Sequence, residues 1–120
     1  MKKLAARSIA TVLSIAWLCA HAAVPGIGFY SGNDLHRWLE PEMLRGESTY
    51  DSGMAAGYIA GVVDPKLSVS LCLPNNVTIA QLKRVVFNYL VAHPEKWTVL
   101  AADLVERSVS ESFPCGVRAK

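Results

Sequence analysis

The side chains that could do chemistry are few and scattered. His36 and His93 are the histidines beyond the N-terminal leader. Neither belongs to a recognised metal-ligand spacing, so no metal site is indicated. His93 precedes Pro94 and should border a helix turn, and His36 is expected to face solvent beside Arg37. Asp103, Glu106 and Glu111 recur at helical spacing and read as a solvated helix face, not as an acid and base paired in a cleft. Ser108, Ser110 and Ser112 have no neighbour that would activate a hydroxyl. Catalysis is therefore not expected, nor is a cofactor.

Cys72 and Cys115 remain once Cys19 is assigned to the leader. An even pair in an exported chain is most simply a disulfide. Closing so long a loop is assigned about 4 kcal/mol by the chain-entropy model. Two free thiols, or one catalytic thiol, are the alternatives. The chain has no Cys-x-x-Cys and no histidine placed to partner a nucleophile.

Gly53, Gly57 and Gly61 stand four apart inside "SGMAAGYIAGVVD" (52–64). Each should weaken a helix by about 1 kcal/mol relative to alanine. The uncharged run Ser52–Val63 is far short of the ~20 residues that a membrane seam of Gly-x-x-x-Gly type requires. A phosphate-cradling loop would carry its glycines before a helix rather than within it. The stripe is expected to let a neighbouring helix or a bulky side chain (Trp97, Tyr89 or Phe87) approach closely inside the domain. On that reading, a large residue at Gly57 should unfold the chain.

The elements that position these residues begin after a leader. Lys2, Lys3 and Arg7 precede the apolar run Ser8–Cys19, and Ala20-His21-Ala22 fits a cleavage site. Residues 1–22 thus read as a secretory signal peptide, with one domain over 23–120 and no membrane span after cleavage. Removing three of the 12 Lys+Arg leaves nine against 10 Asp+Glu, a net charge near −1 in place of +2. No basic patch argues for nucleic acid.

Asn33 could cap a first helix through about Glu40, ahead of Pro41. A second is expected from Ser48-Thr49 to Val63, where Asp64-Pro65 ends it. Leu67, Val69, Leu71 and Leu73 alternate, but no second strand offers a partner, so 65–77 reads as a loop tied down by Cys72. Thr78 and Gln81 form a capping box for a third helix ending near His93. Its core side should carry Ile79, Leu82, Val85, Val86, Tyr89 and Leu90. Pro94 and Glu95 suit the start of a fourth helix, with Trp97, Leu100, Ala101, Leu104, Val105 and Ser108 inward, ending near Ser112. The expected fold is all-α: a small four-helix-type bundle stapled by one disulfide.

"GYIAGVVD" (57–64), "LCLPNNVTIAQLKRVVFNYLVAHPE" (71–95) and "FPC" (113–115) resemble the Rap/Tai-type immunity proteins of bacterial type VI secretion. The shared features are G-Y-I-x-G-x-x-D, C-x-P-x-x-V-T-x-x-Q-L, V-V-x-x-Y-L-x-x-H-P-E and a terminal F-P-C. The resemblance implies a small helical domain, often a homodimer, bridged between Cys72 and Cys115. It also implies a periplasmic protein whose partner is a peptidoglycan amidase effector, inhibited by insertion into, or occlusion of, its active-site groove. Family members often carry a further cysteine pair in the first two helices, where this chain has Leu39 and Ala55.

The residues expected to meet such a partner are Gln81, Lys83, Arg84 and Asn88, with Phe87 either an apolar anchor or, as the favoured reading, part of core or dimer packing. Lys66, Ser68 and Ser70 of the loop form a second set. The competing function is a periplasmic acid-stress chaperone, also small, helical and disulfide-linked. The modest charge of the mature chain argues against it.

Overall fold

Three of the four helices begin where a short polar side chain can hold backbone N–H groups that have no partner in the first turn. The computed structural model describes residues 27–116, so the expected leader at 1–22 lies outside the described residues. Helix α1 spans Gly32–Arg45. Asp34 Oδ2 accepts from both the backbone N–H and the hydroxyl of Ser31, each at 2.9 Å. The cap is thus Ser31 rather than Asn33.

The expected end near Glu40 is corrected too, because α1 continues through Pro41. Proline inside a helix forfeits one N–H···O bond, and the remaining bonds carry the helix past it. The stop comes at Gly46, whose φ of 70° is left-handed. Its N–H donates to the Glu42 carbonyl at 3.0 Å, and Glu47 N–H donates to that of Pro41 at 3.2 Å. This is a glycine helix terminus of the usual kind.

Helix α2 spans Tyr50–Val63 behind a Thr49–Ser52 capping box. A single 3-10 turn, Asp64–Lys66, follows it. Helix α3, Ile79–Ala92, starts at the expected Thr78–Gln81 box and ends at His93.

Helix α4 is Ala101–Ser112, several residues later than expected. Pro94–Lys96 forms a separate 3-10 turn. Residues 99–101 instead pair with the segment before α1: Gly32 N–H donates to Val99 O at 2.9 Å, and Ala101 N–H to Tyr30 O at 3.0 Å. Those long-range bonds occupy backbone groups that a helix would have used. The described residues contain no strand, only isolated bridges at Ser31–Leu100 and Leu67–Leu71.

All four helices touch one another, α1 with α2 and α3 with α4 most extensively. The chain is an all-α bundle, and Cys72 and Cys115 form a disulfide with Cα atoms 5.2 Å apart. Leu35 and Leu39 of α1, Ala55 and Ile59 of α2, Val86 and Leu90 of α3, and Val105 and Val109 of α4 are completely buried. Each large aliphatic group contributes about 1.5–3 kcal/mol of transfer free energy. Leu39 and Ala55, the two positions that the resemblance singled out, therefore stand in the core.

The inward face of α3 differs from expectation. Lys83 and Phe87 are buried, whereas Ile79 is 39 % exposed and Val85 only half-buried. The true face is rotated toward the aromatic side chain, because a benzyl group gains more from burial than the isoleucine at the helix's first position.

Candidate partner-binding surface

The register of α3 divides the candidate contacts into two sets. Lys83 and Phe87, four residues apart, turn inward. Gln81, Arg84 and Asn88 are exposed and share a neighbouring strip of the helix at helical spacing. As free partner contacts, Lys83 and Phe87 are thus corrected. The Lys83 ammonium donates to both carboxylate oxygens of Glu42 at 2.5 and 2.6 Å, bridging α3 to α1. That ammonium holds the Glu42 carboxyl below the usual carboxylate range, against the opposing effect of burial, and Ser52 and Arg84 add to the lowering.

Phe87 stacks on His36 with ring centroids 5.4 Å apart, and His36 stacks in turn on Trp97 at 4.1 Å. The expectation that His36 faces water is therefore corrected: it is half-buried between two aromatic rings. The Trp97 indole N–H donates to the Leu90 carbonyl at 2.8 Å, and the Trp97 carbonyl accepts from Asn33 N–H at 2.8 Å. Trp97 fills a position between α1 and α3, not the glycine stripe. His93 borders the end of α3 as expected, with its Nδ1 3.2 Å from Glu95 Oε1.

Lys66 is engaged within the chain. Its ammonium contacts Glu106 of α4, and both side chains are about one-third exposed. Ser68 and Ser70 remain exposed. Gln81 contributes to folding as well as to the surface, since its carbonyl oxygen accepts from Thr78 N–H at 2.7 Å. Asp103 and Glu111 are exposed, as their spacing indicates. The Ser108 hydroxyl is buried and donates to the Val105 carbonyl at 2.9 Å. Among the described residues no group of three or more His, Cys, Asp or Glu is placed to hold a metal ion.

The glycine stripe departs most from expectation. Among the described residues, a Cβ built at Gly53, Gly57 or Gly61 would meet no atom within 4 Å. The stripe faces outward and seats no neighbour among those residues, and the reading of Gly57 as indispensable for folding is corrected. The glycine that is closely packed is Gly32, where a Cβ would lie 2.6 Å from a Leu104 methyl and 2.9 Å from Trp97 Cα. Gly53 and Gly57, with Tyr50, Met54 and Tyr58, line a shallow apolar groove of about 510 Å³. Tyr58 forms one end of it, edge-on to Tyr30 at 5.7 Å. Four-residue spacing alone does not reveal whether a smooth face points inward. The fully buried positions Ser52, Ala55, Ile59 and Val63 carry that information instead.

No helix among the described residues is long and apolar enough to cross a membrane. Compared with curated proteins, the chain finds no match. The family model for Rap1a immunity proteins matches residues 31–115, from the cap of α1 to the second half of the disulfide. That span exceeds half of the chain and includes all four helices, and the chain therefore belongs to the Rap1a immunity protein family.

Proposed function

We propose that this protein, exported to the periplasm and freed of residues 1–22, neutralises a peptidoglycan amidase effector delivered by type VI secretion. The observation that carries this reading is the family match over residues 31–115. A cystine between Cys72 and Cys115 suits an oxidising compartment. Inhibition is steric: the bundle covers the hydrolase groove and performs no chemistry of its own.

The exposed α3 residues Gln81, Arg84 and Asn88 form one contact surface. They project from a helix anchored through Lys83 and Phe87, which suits rigid presentation. The open face of α2 supports pairing of two copies. It carries no charge from Ser52 to Val63, and two such faces can meet without desolvating ions.

Affinity capture with the tagged mature protein from its host's periplasm tests this reading. Recovery of one stoichiometric cell-wall hydrolase after a salt wash is the expected result. A diffuse set of unfolded clients that grows at acid pH would replace immunity with chaperone function.

A further inference from the structure

We propose that the Cys72–Cys115 cystine is a thiol–disulfide exchange site on the folded bundle, opened and closed by a dithiol carrier that attacks the Cys72 sulfur. The helices stay packed while this happens.

Both half-cystines are exposed. Cys72 lies in the connection between α2 and α3, and Cys115 lies just beyond α4. The buried core is built by side chains of the four helices together with Leu71, and the half-cystines stand outside it. A cystine so placed meets an incoming thiolate without prior unfolding, whereas a buried one waits for the chain to open.

The two sulfur atoms differ in their surroundings. Cys72 lines a cleft of about 510 Å³ whose walls include Leu67, Leu73, Pro74 and Val77. The Cys115 sulfur lies 3.7 Å from the Ser70 carbonyl oxygen. That oxygen repels an approaching thiolate but can accept from a thiol. Attack therefore falls on Cys72, and Cys115 departs.

The carrier's thiolate bonds to Cys72 Sγ, and the Cys72–Cys115 bond breaks with its electron pair on Cys115. That sulfur takes a proton from water, and its S–H then faces the Ser70 carbonyl. The carrier's second thiol, deprotonated, displaces Cys72, which is protonated in turn. Two electrons pass to the cystine, giving two cysteine thiols and one disulfide in the carrier.

The neighbours prepare the reverse reaction. Leu71 is 1 % exposed, and Phe113, just before Cys115, packs against the core. These anchors hold the opened thiols near the closed separation of 5.2 Å between Cα atoms, within the range that a disulfide spans.

The test treats the intact mature protein with dithiothreitol in the absence of denaturant. Opening is followed by iodoacetamide quench and mass, and helicity by circular dichroism. Opening should speed up about tenfold for each tenfold rise in dithiol, with the helical signal retained. A rate that does not respond to dithiol, or a helical signal lost in step with opening, overturns the proposal. Exchange with glutathione, quenched in acid, should leave the adduct on Cys72. An adduct on Cys115 would overturn the assignment of the attacked sulfur.

Discussion

Lys83 of α3 and Glu42 of α1 form a two-pronged ion pair, 2.5 and 2.6 Å from ammonium to each carboxylate oxygen. Leu39 and Ala55 pack in the core, and the Lys83–Glu42 pair ties α1 to the rest of the bundle.

Breaking that pair on one side should cost more than removing it altogether. Lys83 is 11 % and Glu42 24 % exposed, so solvent screens the pair only in part. Glu42→Gln should destabilise by roughly 1–3 kcal/mol, since it leaves a largely buried ammonium without its carboxylate. A Lys83→Met/Glu42→Met double variant should lie closer to wild type. Urea melts of the three proteins measure the difference.

The same pair sets an acid limb. The folded Glu42 carboxyl titrates below its ordinary value of 4.5, so the unfolded chain binds the proton more readily. The associated stability is present above that value and is lost as pH falls through the lower, folded pKa. The melting temperature of wild type should therefore drop on acidification below about pH 4.5, the ordinary value of this group. In Glu42→Gln this part of the decline should be missing.

Gly57→Leu should fold. A Cβ at this position meets no atom of the described residues within 4 Å, and leucine favours a helix over glycine by up to about 1 kcal/mol. A higher melting temperature is expected, together with loss, in light scattering, of the pairing proposed for the open face of α2. An unfolded variant would show that the stripe is packed internally after all.

Replacing Cys72 and Cys115 with serine should reduce stability by about 2–4 kcal/mol, the usual contribution of a native disulfide. The effect should be concentrated in the 66–77 loop, which has few buried anchors beyond Leu71. Faster amide exchange at Val69–Leu71 than at the centre of α3 would report it.

Charge reversal at Arg84 should weaken the effector complex by more than about 1 kcal/mol, mostly through slower association. Arg84 also adds to the field at Glu42, so a melt of Arg84→Glu is needed to separate binding from folding.

Helix type and the Thr78–Gln81 capping box were legible because they depend on near neighbours in sequence, whereas the Ser31–Asp34 box of α1 was not anticipated. Thr78–Gln81 and the stop at Asp64-Pro65 are the clearest cases. The cystine was legible from counting alone. Most of the failures share one cause, which is that long-range partners decide them. The start of α4 depends on Tyr30 and Gly32 binding residues 99–101. The burial of Lys83 depends on Glu42, about forty residues earlier in the chain. The outward direction of the glycine stripe depends on which side of α2 the other three helices occupy. Gly46 after Arg45 was a local signal for the true end of α1, outweighed in the sequence reading by Pro41.

The most direct measurement is amidase turnover on purified peptidoglycan, with the captured hydrolase titrated by the mature protein. Complete inhibition at a fixed stoichiometry, weakened by charge reversal at Arg84, is the expected result. Undiminished cleavage of the cell wall in the presence of excess protein would contradict steric immunity directly.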